Sequence, residues 1–164
     1  MKIEGRVWKF GDHVDTDLII PARYLYTSDG HELAKYCFVD IRPEFVQGIR
    51  PGDIVVAGVN FGCGSSREQA PLAMKALGVG AVIAKHFSRI FYRNAFNIGL
   101  PILESETAVE AFSEGSTISV DMETGEMKTR DQETGVFAKP IPDFMREIVR
   151  AGGLVAYIKR EGSF

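Results

Sequence analysis

Apolar and polar residues alternate from Lys2 to Phe10, the two-residue period of a half-buried strand, and the run stops at the Gly11-Asp12 turn. The next stretch, Asp12 to Thr27, has neither a helical nor a strand period. It sets a dense polar run, His13-Val14-Asp15-Thr16-Asp17, directly against Leu18-Ile19-Ile20-Pro21. Polar groups crowded onto an apolar run within a loop mark a functional candidate. Glu32 to Phe38 and Pro43 to Gly48 read as short helical stretches.

Beyond the turn at Pro51-Gly52-Asp53, the unbroken apolar run Ile54 to Ala57 predicts a strand buried on both faces. Gly58 to Ser66 is a glycine-bearing loop. Arg67 to Leu77 spaces Ala70, Ala73, Met74 and Leu77 along one helical face and ends at Gly78, a C-cap residue. Gly80 to Ala84 is a second buried strand. Ser88 caps a helix from Arg89 to Asn97 that closes at Gly99, and Leu100 to Leu103 is a third strand. This alternation predicts a mostly parallel sheet with right-handed crossovers.

The tail reads differently. Ser116 to Asp121, Glu126 to Arg130 and Val136 to Lys139 are short antiparallel strands turned at Thr124-Gly125 and Thr134-Gly135. Phe144 to Ala151 is a helix after Pro142-Asp143, broken by Gly152-Gly153, with a last helical turn from Leu154 to Lys159. No repeat, low-complexity tract or linker interrupts the chain, so residues 1–164 read as one domain.

Composition narrows the function classes. The chain of 164 residues is 45% hydrophobic and 25% charged, with a formal charge of −3, which gives no basic footprint for nucleic acid. No window approaches the roughly 18 apolar residues of a membrane span. Met1 to Phe10 lacks a signal peptide's apolar stretch. Two cysteines, Cys37 and Cys63, make neither a disulfide framework nor a metal cage. A cytoplasmic protein is expected, with no cofactor or metal on this chain and with His13, His31 and His86 too scattered to ligate one.

The most informative segment is Asn60-Phe61-Gly62-Cys63-Gly64-Ser65-Ser66-Arg67-Glu68, between a buried strand and a helix start. Glycines let backbone N–H groups approach a ligand, and a helix start favours an anion. Arg67 adds a planar fork matched to a carboxylate. Ser65 or Ser66 serves equally well as a helix N-cap, with Glu68 or Gln69 bonding back. A phosphate or dinucleotide loop fits poorly, because the glycine spacing matches neither motif.

Asn60 through Glu68, continuing to Ala70-Pro71, closely resembles the glycine–serine–serine–arginine–glutamate loop of the aconitase-type hydratases. Lys85-His86-Phe87-Ser88-Arg89-Ile90-Phe91 with Asn94 through Pro101 resembles that family's second stretch. Asp12 to Pro21, with Thr16-Asp17-Leu18-Ile19 inside it and Ala22-Arg23-Tyr24-Leu25 after it, resembles its opening motif. Three motifs in order cover most of the chain.

The resemblance implies a three-layer β/β/α swivel fold with a mostly parallel core sheet. The short length resembles the free-standing small subunits of isopropylmalate dehydratases and homoaconitases. A separate large subunit carrying a 4Fe-4S cluster is then the implied partner, with a homo-oligomer as the alternative state of the free chain. The implied reaction moves a hydroxyl between adjacent carbons of a small 2-hydroxy dicarboxylate by dehydration and rehydration. Carried over by position, Ser65 is the base, Ser66 and Arg67 hold a substrate carboxylate, and Asp17 supports the site.

In this family the loop after the opening motif, here Tyr24 to Asp29, reads the group that distinguishes substrates. Tricarboxylate-using members tend to place an arginine near the position of Tyr26. Tyr26 suits an isopropyl group better than a carboxylate, while Arg23 stands close enough to reach in. Homoaconitate and dimethylmalate are the alternative substrates. A non-catalytic anion-binding regulatory module is the reading from another class, and RNA binding is disfavoured by the acidic balance.

Overall fold

The computed structural model describes residues 1–162. Strand β1 (Lys2–Lys9) is the axis of a single seven-stranded sheet ordered β4-β3-β2-β1-β5-β6-β7. Val7 to Lys9 run parallel to Ile54 to Val56 of β2 (Ile54–Ala57). Lys2 to Arg6 run antiparallel to β5 (Thr117–Asp121), with Lys2 opposite Asp121. On one side the parallel series continues through β3 (Ala81–Ala84) to β4 (Ile102–Glu104). On the other, antiparallel β6 (Glu126–Thr129) and β7 (Val136–Phe137) complete the sheet. The expected α/β architecture with a parallel core is present, and the tail forms the antiparallel strands its turns imply.

Every residue of β2 and β3 is buried, as their unbroken apolar runs require. Helix α4 (Gln69–Leu77) buries Ala70, Ala73 and Met74, and α5 (Arg89–Ile98) buries Phe91, Ala95 and Phe96. Ser88 caps α5 by accepting from the Phe91 N–H, as its position in the sequence anticipates. A second anchor lies at the opposite end of the strands. The buried Asp53 carboxylate accepts from the Arg6 backbone N–H, the Arg6 guanidinium, the Trp8 indole N–H and the Arg50 N–H, all at 2.9–3.0 Å. It ties β1 to the turn before β2.

Several elements depart from the sequence reading. The aperiodic stretch after β1 holds one short turn of helix, α1 (Thr16–Ile19), and a 3-10 turn (Ala22–Tyr24), each too brief to show a period. Helices α2 (Gly30–Ala34) and α3 (Phe45–Gly48) are shorter than expected. Helix α4 begins at Gln69 rather than Arg67. Helix α6 (Glu106–Ala111), capped by the Ser105 hydroxyl, was not anticipated. Helix α7 (Asp143–Ala151) matches, and α8 (Leu154–Glu161) is a full helix rather than a single turn.

Candidate active site

The segments that follow β1, β2 and β3 meet at the carboxyl ends of the parallel strands, the edge where open α/β sheets place ligands. Two of them are laced together by backbone hydrogen bonds. His13 N–H donates to Val59 O at 2.9 Å, Gly62 N–H to Val14 O at 2.8 Å, and Thr16 N–H to Cys63 O at 2.8 Å. The Thr16 hydroxyl donates to Ser65 O at 3.0 Å, and Thr16 itself is buried. The opening motif and the glycine loop thus form one structural unit.

The third segment supports the loop from below. Phe61 N–H donates to His86 O and Ser88 N–H to Phe61 O, each at 3.0 Å, while the Ser88 hydroxyl donates to Gly62 O at 2.8 Å. Phe61, Phe87 and Phe91 pack as an aromatic floor, with centroids 5.2–6.0 Å apart. Gly62 lies on that floor at φ +79°, and a Cβ there would stand 2.2 Å from the Phe91 ring. Only glycine meets both demands.

Ser65 and Ser66 are exposed, and neither caps α4. The cap position is Glu68, which has helical backbone angles and no side-chain capping bond. Among the described residues, no backbone N–H from Gly64 through Gln69 finds a protein acceptor. A run of unpaired donors around two free hydroxyls is an anion cradle. The capping alternative left open by the sequence therefore does not describe this loop.

Arg67 is mostly buried, with 16% of its side chain exposed, and it is not a solvated helix-start arginine. Its Nη1 donates to Asp17 Oδ1 at 3.0 Å and to Ile20 O at 3.1 Å. Asp17 Oδ1 also accepts from Ala22 N–H at 2.9 Å. The Arg67 guanidinium, then the Ala22 N–H, hold the Asp17 carboxyl below its ordinary pKa. Nε and Nη2 of Arg67 have no acceptor among the described residues, so its outer edge is free for a carboxylate.

Arg23 is engaged elsewhere. Its two terminal nitrogens grip both oxygens of Asp40 at 2.9 and 2.5 Å. The guanidinium stands 4.7 Å from the centre of the Tyr24 ring, and Tyr24 stacks on Tyr36 with centroids 3.8 Å apart and planes at 3°. Tyr26 is 71% exposed. The Tyr36 hydroxyl, first among its neighbours, raises the Tyr26 pKa.

Cys37 is buried and Cys63 half-buried; burial raises both thiols, and Asp15 adds to the effect at Cys63. Among the described residues no three His, Cys, Asp or Glu side chains converge as a metal site. This donor set does not fit an iron–sulfur cluster.

Two residues in this arrangement, Thr16 and Asp40, have no individual role in the sequence reading, and Ser88 is read there only as a cap. Thr16 and Ser88 stand inside motifs. Asp40 carries no local signal. A cleft of about 660 Å³ opens between α5 and α7, and the serine loop does not line it.

The sheet, the laced loops and the anion cradle define an α/β swivel domain of the aconitase type. Residues 13–107 match the aconitase C-terminal domain family. The 3-isopropylmalate dehydratase small subunit of Thermodesulfovibrio yellowstonii is 54% identical over 98% of this chain and 95% of its own length. That of Nautilia profundicola is 59% identical over 96% and 94%. The crystal structure of 3-isopropylmalate dehydratase from Methanocaldococcus jannaschii superposes with a TM-score of 0.92 at 45% identity, covering 99% of this chain and 96% of that one. The chain belongs to the aconitase C-terminal domain family, within its group of 3-isopropylmalate dehydratase small subunits.

Proposed function

We propose that this chain is the small subunit of a hydro-lyase that interconverts 2-isopropylmalate and 3-isopropylmalate by dehydration and rehydration, a step of leucine biosynthesis. It works in the cytoplasm with a large subunit. The observation that carries the site assignment is the position of Ser65: exposed, uncapped, and fixed through its own carbonyl by a buried threonine.

When present on the large subunit, a 4Fe-4S cluster supplies Lewis acidity for the departing hydroxyl. The rest falls to residues of this chain. Arg67, oriented by Asp17, presents Nε and Nη2 to a substrate carboxylate, and Ser66 hydroxyl adds a donor. The unpaired N–H groups stabilise the negative charge that grows as the neighbouring carbon loses its proton. Ser65, as alkoxide, takes that proton and becomes the alcohol. After the substrate's two carbons exchange roles, Ser65 returns its proton to the carbon that lost the hydroxyl and is an alkoxide again, while a hydroxyl adds to the carbon that lost the proton. The same donors that hold the carboxylate lower the cost of ionising Ser65.

Mixing the chain with a cluster-bearing large subunit should give interconversion of the two isopropylmalates. Ser65→Ala should lower kcat by ~10²–10⁴-fold, the span of a general base, while co-elution with the large subunit persists. Retained activity in that variant would remove Ser65 as the base. An anion-binding module would instead bind a dicarboxylate and give no turnover with any large subunit.

A further inference from the structure

The Arg23–Asp40 clamp has no part in carboxylate binding or proton transfer, yet it holds the cation that stands directly before the variable loop. Arg23 follows Ala22, whose N–H shares Asp17 Oδ1 with Arg67. The 3-10 turn from Ala22 to Tyr24 therefore begins at the substrate-binding arginine's own partner. Proximity shows in the charges as well: Arg23 helps stabilise the Asp17 carboxylate, and Asp17 repels Asp40. Four alternating charges, Arg67, Asp17, Arg23 and Asp40, occupy one patch.

Within it Arg23 is held in three ways. Both oxygens of Asp40 accept from it, and its flat face rests on Tyr24, which is itself stacked on Tyr36. A bidentate fork on a carboxylate is saturated along that edge. Released, the same side chain could turn toward the ligand of Arg67. A pocket that must take a neutral branched alkyl group gains nothing from a free cation, whereas a third carboxylate would gain a partner and escape the cost of lying unpaired. We propose that Asp40 is a positioning residue for substrate specificity: by engaging Arg23 it withholds positive charge from the variable subsite and keeps that subsite selective for an alkyl substituent over a carboxyalkyl one.

The inference rests on the isopropylmalate reading, and the test separates the two. Wild-type, Asp40→Asn, Asp40→Glu and Asp40→Asn/Arg23→Gln chains are each assembled with the large subunit and assayed on 3-isopropylmalate and on isocitrate, where a carboxymethyl group replaces isopropyl. Asp40→Asn should raise kcat/KM for isocitrate relative to 3-isopropylmalate by roughly three- to tenfold, mostly through KM, as expected for redirecting one exposed ion pair. Asp40→Glu should restore the wild-type ratio, and adding Arg23→Gln should cancel the gain. Parallel loss on both substrates, or a gain that survives Arg23→Gln, would overturn the role of Asp40. Wild-type inactivity on isopropylmalate would instead fail the functional reading beneath it.

Discussion

The Thr16 hydroxyl donates to the carbonyl of Ser65 at 3.0 Å, so a buried residue of the first motif fixes the backbone of the candidate base in the second. The carbonyl of Ser65 is held while its side chain stays exposed. Thr16→Val keeps the shape and removes the donor, leaving Ser65 O to lose its partner. Stability should fall by about 1–3 kcal/mol in urea titrations. With the loop loosened, kcat should fall about ten- to a hundredfold with a smaller change in KM. Thr16→Ser should recover most of both, whereas an unimpaired Thr16→Val beside an impaired Thr16→Ser would assign the effect to the methyl group and not to the hydroxyl.

Gly62 offers a purely steric test. Alanine there must adopt φ near +79° and place its Cβ 2.2 Å from the Phe91 ring. The left-handed backbone and the displaced aromatic floor together should cost about 2–4 kcal/mol. A shift in the urea midpoint without a change in slope would show that the loss lies in the folded state. A neutral substitution would mean that the floor yields far more easily than close-packed rings should.

Asp53 should shape the acid limb of the stability curve. Burial pushes its pKa up, but the hydrogen bonds from Trp8, Arg50 and Arg6 outweigh that and leave it below the ordinary value. A carboxyl depressed in the folded state stabilises fully above its unfolded pKa and loses that contribution as pH falls through the folded one. Asp53→Asn should therefore lower stability by about 1–3 kcal/mol near neutral pH and flatten the decline between about pH 5 and pH 2. Thermal melts across that range measure both, and an unchanged acid slope would place the titrating group elsewhere.

Tyr26 sits at the exposed tip of the variable loop. Tyr26→Arg should move relative kcat/KM toward a 2-hydroxy tricarboxylate if the residue faces the variable substituent, by about tenfold or more for a newly paired carboxylate. Unchanged ratios for isopropylmalate and isocitrate would remove Tyr26 from the pocket.

The parallel half of the fold was legible because β2, β3, α4 and α5 are specified locally, by apolar runs and by caps at Ser88, Gly78 and Gly99. The start of α4 was misplaced for the opposite reason. Ser65, Ser66 and Arg67 have the composition of a cap and first turn, but Thr16 holds the Ser65 carbonyl and Asp17 the Arg67 guanidinium through bonds between segments about fifty residues apart, which no local pattern encodes. Helix α6 did leave a trace in Ser105 followed by Glu106 and the buried pair Ala108-Val109. The residue types of the site were readable from the motifs. That Arg67 would be steered by Asp17, and Arg23 held by Asp40, depended on tertiary placement alone.

Strand β1 divides its length between two neighbours, taking β2 along Val7 to Lys9 and β5 along Lys2 to Arg6. Strand β1 is thus fully partnered only after β5 has been made, since Lys2 pairs with Asp121. Pairings so distant in sequence close slowly, and an unpaired strand edge invites association with other chains. Nascent-chain truncations ending before β5 should expose that edge, and the candidate-site loops that follow β1 should then be formed only once β5 has been made.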